Sequence, residues 1–132
     1  MNRPIVTIEL DHTQCQPGEL LTGQYAVDPQ SIPLVTHVEV SVSWNTEGKG
    51  DEDRAVQYRK HGSTDDGPLF GERGAGPFAV RLPAAPLSYD GVLVKIVWNI
   101  HVRVTFAGGA QSEAALPFRL GHVGPVAEVV NV

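Results

Sequence analysis

Two histidines, a glutamate and an arginine stand in alternating runs of the chain, where they could bind a metal ion or a partner. His37 and Glu39 belong to one run, and His101 and Arg103 belong to a later one. Imidazole and carboxylate are common zinc ligands, but two histidines without a spaced third ligand lack the usual coordination set. We therefore expect no metal site and interpret the four side chains as a cross-strand patch on a polar sheet face.

A group of carboxylates in a glycine-rich stretch has the hard oxygen chemistry of a calcium site. The group consists of Asp51, Glu52, Asp53, Asp65 and Asp66. Its spacing fails the EF-hand pattern at the central glycine and at the terminal glutamate. Solvated loop charge is the preferred interpretation, and calcium binding by these acidic loops is kept as an alternative.

Motifs for phosphate binding and for nucleophilic catalysis are incomplete. The stretch EGKGDE has no serine or threonine after Lys49, and the glycines of GERGAG are in the wrong order for a dinucleotide. Cys15 and Ser88 lie beside turns, but neither has a nucleophile elbow, a helix N-terminus or a positioned histidine. The sequence therefore predicts a protein that is not an enzyme, with no catalytic residue and no cofactor.

Composition excludes several classes of partner. The chain has 132 residues, a net charge of -5 and a pI near 5.4, which oppose binding to nucleic acid. The single cysteine cannot form an internal disulfide, and the first residues, MNRPIVTIELDHTQ, lack the apolar core of a signal peptide. No run approaches the ~20 apolar residues that cross a bilayer. We expect a cytoplasmic protein of one domain, without membrane insertion.

Alternation of apolar and polar residues predicts the strands that position these side chains. The pattern is clearest over residues 38–44 and 94–106, and shorter runs repeat it at 6–10, 21–27, 78–82 and 114–120. No window of helical length carries an apolar stripe. Strands with one apolar face must pack against each other, so the sequence predicts an all-β, immunoglobulin-like, two-sheet β-sandwich.

Two segments differ from these strands. Residues 45–77 are polar and rich in glycine, with one short strand, AVQYR, and we expect a mobile polar insertion within a domain of residues 1–121. Residues 122–132 form a valine-containing tail, which could add an edge strand to this domain or to a second copy.

The order of the strands and turns resembles that of the arrestin-like family. GPFAVRLP, APLSYDG and IVWNIHVRV follow one another as a strand, a turn and a long strand, and QPGELLTGQYAV and HVEVSVSW fit the earlier strands. The resemblance implies a sandwich of the N-terminal arrestin type. Family members usually have two sandwiches and bind partners through both, whereas this chain has one. The lysine pair by which some arrestins sense phosphates is also missing, so we do not expect recognition of phosphorylated receptors.

The turn between those strands contains five residues to which we assign fold-determining roles. They are Pro83, Pro86, Ser88, Tyr89 and Gly91. The prolines end the preceding strand and stiffen the crossover, and Gly91 permits a positive φ. We expect Tyr89 to bury its ring under the loop and to bond a backbone group through its hydroxyl, as a tyrosine corner does.

The resemblance implies an adaptor or assembly subunit that binds another protein. The predicted contacts are Glu39, His101 and Arg103 on the polar face, and Tyr58, Arg59, Phe70 and Arg73 in the loops. One alternative is a carbohydrate- or calcium-binding module. Trp44 and Trp98 fall on the apolar side of their strands, which leaves Tyr25, Tyr58 and Phe70 as sugar contacts. Another alternative is a structural homo-oligomer assembled through the C-terminal tail.

Overall fold

The structure of the protein, a computed structural model, describes residues 5–48, 53–67, 69–70, 75–91 and 94–121. Nine strands run through these ranges, with short 3-10 helices at Ile32–Leu34 and Thr64–Asp66. The strands are β1 (Val6–Leu10), β2 (Gln14–Cys15), β3 (Leu20–Val27), β4 (Val35–Gly48), β5 (Arg54–Ser63), β6 (Ala75–Arg81), β7 (Tyr89–Asp90), β8 (Val94–Phe106) and β9 (Gln111–Leu120). Within these ranges no helix is long and apolar enough to cross a membrane. Arg73 and the tail 122–132 lie outside them.

The strands form two sheets that pack face to face. The small sheet has the order β1-β3-β6, and the large sheet has the order β2-β9-β8-β4-β5, with β7 paired to β8. The core between them contains Leu21 and Val80 from the small sheet and Trp98, Ile100 and Phe118 from the large one. The all-β, two-sheet sandwich expected from the sequence is therefore confirmed.

The alternation along β8 determines which face of the large sheet is polar. Trp98, Ile100 and Val102 are fully buried, while the residues between them point away from the core. A tight hairpin at residues 107–110 joins β8 to β9, and Gly108 and Gly109 adopt φ angles of 95° and 97° there. A side chain would strain both positions. Because β9 pairs with β8 through this turn, the polar faces of the two strands are continuous.

The segment 45–77 contains far more regular structure than the sequence indicates. Strand β4 continues to Gly48, and β5 covers ten residues and pairs with β4 along most of its length. The polar composition of β5 does not prevent its pairing with β4, because one face of the two strands is exposed and needs no apolar residues. Residues 45–48 and 54–63 of the expected insertion therefore extend the large sheet as paired strands, and the mobility of the segment stays a prediction.

Backbone and side-chain hydrogen bonds connect the proline-rich turn to the large sheet. The indole nitrogen of Trp98 donates to the Pro86 carbonyl oxygen at 2.7 Å. The Ser88 amide donates to the Leu120 carbonyl oxygen at 2.9 Å, and the Leu120 amide donates to the Ser88 hydroxyl oxygen at 2.8 Å. The buried Ser88 therefore pairs reciprocally with one residue of β9.

The expected burial of Tyr89 is wrong. Its side chain is 55% exposed, and it lies on β7, opposite Ile96. The role expected of the tyrosine hydroxyl is filled by the serine before it and by the Trp98 indole. Gly91 directly follows β7, and its conformational role stays a prediction.

Candidate functional site

The long strands bring four of the predicted contact residues onto one surface. Glu39 on β4 lies opposite Arg103 on β8, and Ser41 lies between His101 on β8 and Arg59 on β5. All of these positions point away from the core. We call this surface the outer face, defined by Glu39, Ser41, Ser43, Arg54, Val56, Arg59, His101, Arg103 and Glu113. Three members of the expected four-residue patch, Glu39, His101 and Arg103, therefore lie on this surface, whereas the fourth, His37, does not border it.

Among the residues of the outer face that were not predicted from the sequence, Arg54 and Val56 lie there because of an irregularity in β5. Val42 lies opposite Tyr58, but the next residue, Ser43, lies opposite Val56, so Gln57 has no partner on β4. This β-bulge shifts the alternation of β5 by one residue. As a result Arg54 and Val56 share the outer face with Arg59. Without the bulge residue in the count, strict alternation from Arg59 would place Arg54 and Val56 on the opposite side of the strand.

Two ion pairs lie on the outer face, and both join solvent-exposed arginines to glutamates at long distances. Arg59 Nε lies 3.7 Å from Glu39 Oε1, and Arg103 Nε lies 3.3 Å from Glu113 Oε2. The side chains of Arg59 and Arg103 are 60% and 48% exposed, so each pair contributes only ~0.2–1 kcal/mol to stability. The arginines can therefore exchange these partners for others at small cost.

A shallow cavity of about 250 Å³ lies among these side chains. Three guanidinium groups and two carboxylates border it, which leaves one net positive charge, whereas the whole chain carries -5. Val56 also borders the cavity and is 47% exposed. The outer face is thus a locally cationic surface that includes one exposed apolar side chain.

His101 lies on β8 within this surface, opposite Ser41 of β4. Partial burial lowers the pKa of its imidazole below the usual 6.5, and the positive charges of Arg54 and Arg103 lower it further, while Glu113 opposes them. The neutral imidazole of His101 is therefore favoured near neutral pH. In that form it can donate one hydrogen bond and accept another.

His37 does not pair with His101. It lies opposite Thr105 and stacks on His61 of β5, with ring centroids 5.0 Å apart. In the described part of the chain, no three histidine, cysteine, aspartate or glutamate side chains come together as metal ligands. Of the acidic loop residues, Asp51 and Glu52 lie outside that part.

Two of the predicted loop contacts face away from this surface. Tyr58 is partly buried and borders a groove of about 260 Å³ between β5 and β6, together with Lys60 and Phe78. Phe70 packs edge to face against Tyr25, with ring centroids 5.6 Å apart. Both rings are partly buried against the core, Tyr58 from strand β5 and Phe70 from a loop, and their role as partner contacts stays a prediction. The platform of Tyr25, Tyr58 and Phe70 considered for sugar binding is not exposed.

A third cavity, a cleft of about 710 Å³, lies at the other end of the large sheet. It lies where β9 separates from β8 and β7 takes its place. Tyr89 borders this cleft, with Asp90 and Lys95 joined by an ion pair at 3.6 Å. The cleft therefore combines an exposed aromatic ring with charged groups of both signs.

Comparison with known proteins identifies the fold but not the family. No protein-family model matches the chain, and no curated protein matches it in sequence. The crystal structure of Spo0M, a sporulation control protein from Bacillus subtilis, is similar with a TM-score of 0.59 and 15% identity. The match covers 89% of this chain and 49% of Spo0M, so this chain spans about half the length of that protein. The fold is an arrestin-like β-sandwich.

Proposed function

We propose that this chain is a non-enzymatic protein-binding adaptor or assembly subunit, and that it binds its partner through the outer face. The observation that carries the proposal is that Arg54, Arg59 and Arg103 border one cavity together with a half-exposed valine, Val56, on an otherwise acidic protein. Arginine is enriched at protein interfaces, and a local charge opposite to that of the whole molecule selects and orients a partner.

The rigidity of the sheet supports the same proposal. The residues of the outer face lie on β4, β5, β8 and β9, four neighbouring strands. Side chains on paired strands keep fixed spacing, so the surface is formed before a partner arrives and little backbone ordering opposes binding. We further propose a cytoplasmic location, because the only cysteine, Cys15, is a buried free thiol.

A pull-down from the protein's own cell lysate tests the proposal. The wild-type chain is compared with a variant carrying Arg59→Glu and Arg103→Glu, and with the control Lys95→Glu, which reverses an exposed charge beyond the outer face. We expect the wild-type chain and the control to retain the same foreign protein in a fixed ratio, and the double variant to lose it. Retention of that protein by the folded double variant would refute binding through this face. Recovery of multiples of the bait alone would favour the structural homo-oligomer.

Ligand binding is a second candidate function, and the cleft beside Tyr89 favours it. An exposed aromatic ring next to carboxylates is a suitable surface for a sugar, because the ring packs on its apolar side and the carboxylates accept its hydroxyl hydrogens. The cleft volume falls in the range of roughly 300–1,000 Å³ found for small-molecule sites. A glycan array probed with the wild-type chain and with Tyr89→Ala tests this candidate. We expect binding that depends on Tyr89, and an unchanged signal in the variant would exclude the cleft.

A further inference from the structure

The chemistry of the outer face specifies the kind of partner that fits it. We propose that the outer face binds an extended acidic segment of another protein, with carboxylates contacting Arg54, Arg59 and Arg103 and an apolar side chain packing on Val56. This inference rests on the proposed function and names the partner's chemistry.

The geometry of the arginine side chains favours a carboxylate ligand. The hydrogen bond between Arg103 and Glu113 uses Nε at 3.3 Å, and the short approach between Arg59 and Glu39 also uses Nε. A guanidinium group has five N–H donors, and its terminal pair matches the two oxygens of a carboxylate. Both arginines can therefore bind an incoming carboxylate without first losing their present neighbours.

The spacing of the arginines favours an extended segment as the ligand. Arg54 and Arg59 belong to the same strand on either side of the bulge, and Val56 lies between them on the same face. In an extended segment alternate side chains point the same way, so acidic residues flanking an apolar one can reach the two arginines and the valine together. The position of Arg103, two strands away, lets a neighbouring carboxylate bind across the sheet.

The local charge favours a carboxylate over a phosphate group. Phosphate groups and carboxylates both bind arginine, but Glu39 and Glu113 border the same cavity. Their negative charges oppose a dianionic phosphate more strongly than a singly charged carboxylate. The neutral imidazole favoured at His101 adds a hydrogen-bond donor without adding a further positive charge. These features favour glutamate or aspartate side chains over a phosphorylated segment.

Fluorescence anisotropy with a labelled peptide tests the inference. The probe has a valine flanked on each side by three glutamates, and the matched control peptide has glutamines instead. We expect the wild-type chain to bind the glutamate peptide at least about tenfold more tightly than the glutamine peptide. We also expect Arg59→Gln with Arg103→Gln to weaken binding by about tenfold or more, and Lys95→Gln by less than about twofold.

Three results of these experiments would overturn the inference that the partner is acidic. Equal binding of both peptides, or undiminished binding by the double arginine variant, would remove the carboxylate–arginine contact. Displacement of the peptide by inorganic phosphate more readily than by acetate would assign the surface to phosphate groups. If the glutamate peptide does not bind but the pull-down partner still depends on Arg59 and Arg103, the proposed function stands and the acidic partner is wrong. The fold of every variant is checked by circular dichroism.

Discussion

Ser88 joins the proline-rich turn to the end of the large sheet. Its hydroxyl accepts a hydrogen bond from the fully buried Leu120 amide, and its own amide donates to the Leu120 carbonyl. A buried amide without an acceptor destabilises the folded state by its full desolvation free energy, because no hydrogen bond replaces the one it made to water. The sequence motif around Tyr89 is therefore important mainly through the serine and the Trp98 contact, and less through the tyrosine.

Substitution of these two neighbours separates their roles. We expect Ser88→Ala to lower the free energy of unfolding by ~1–3 kcal/mol, because the Leu120 amide is left without this acceptor. Tyr89→Phe, which removes a hydroxyl from an exposed ring, should change it by less than about 0.5 kcal/mol. Urea unfolding followed by tryptophan fluorescence measures both. A larger loss for Tyr89→Phe than for Ser88→Ala would restore the tyrosine-corner interpretation.

The lowered pKa of His101 makes stability depend on pH. The folded state binds the proton of His101 at a lower pH than the unfolded state does, because burial and then Arg54 and Arg103 disfavour the charged ring. The unfolded state therefore holds more protons between the two pKa values, and stability rises with pH there. The contribution is fully present above the unfolded value of 6.5 and is lost progressively as pH falls below it.

His101→Gln tests this linkage. We expect the free energy of unfolding of the wild-type chain to decrease between about pH 7 and pH 5, and to decrease less in the variant. Urea unfolding at several pH values gives both curves. Parallel curves for the two proteins would show that His101 does not titrate differently in the folded and unfolded states.

At the scale of the strands, the bulge at Gln57 determines the composition of the outer face. Regular alternation predicts Arg54, Val56 and Tyr58 on one side of β5, and the structure separates Tyr58 from the other two. Tyr58 packs against the core, while Arg54 and Val56 join Arg59. One unpaired residue therefore lets the strand contribute an aromatic ring to the core and a second arginine to the exposed surface.

Deletion of Gln57 should convert β5 to a regular strand. Val56 would then directly precede Tyr58, so Tyr58 would stay against the core while Arg54 and Val56 would stay on the outer face. We therefore expect the deletion to retain binding of the acidic peptide and to change the free energy of unfolding by less than about 1 kcal/mol. Gln57→Ala keeps the chain length and the bulge, so it should differ from the wild type by less than about 0.5 kcal/mol. Urea unfolding and peptide anisotropy measure both variants, and loss of peptide binding by the folded deletion variant would contradict this assignment of the two faces.

A strand can be predicted from the sequence when it buries one face, because burial imposes an alternation of apolar and polar residues. Strands β4 and β8 bury one face, so their alternation indicates both the strand and the face that carries Glu39, His101 and Arg103. Strand β5 lies at the edge of the described sheet and has few buried residues, so its composition resembles that of a loop. Its bulge has no signature in the residue types, and Arg54 and Val56 could not be predicted from them.

For the whole molecule, the distribution of charge is more informative than its total. The net charge of -5 indicates an acidic protein, yet the outer face gathers three of its arginines in one place. A surface of this kind attracts acidic groups over about one Debye length, roughly 8 Å at physiological salt. We propose that the arrestin-like sandwich supports this surface and that the residues of the outer face select the partner.

Photo-crosslinking in the protein's own cells tests whether the outer face is the binding surface. A benzoylphenylalanine is placed at Val56, and in a control at Leu34, which is 55% exposed and lies outside this face. We expect an adduct between the Val56 position and a different protein, its loss when Arg59→Glu and Arg103→Glu are added, and no adduct from Leu34. Adducts from Leu34 alone, or from Val56 to a second copy of this chain, would contradict the account.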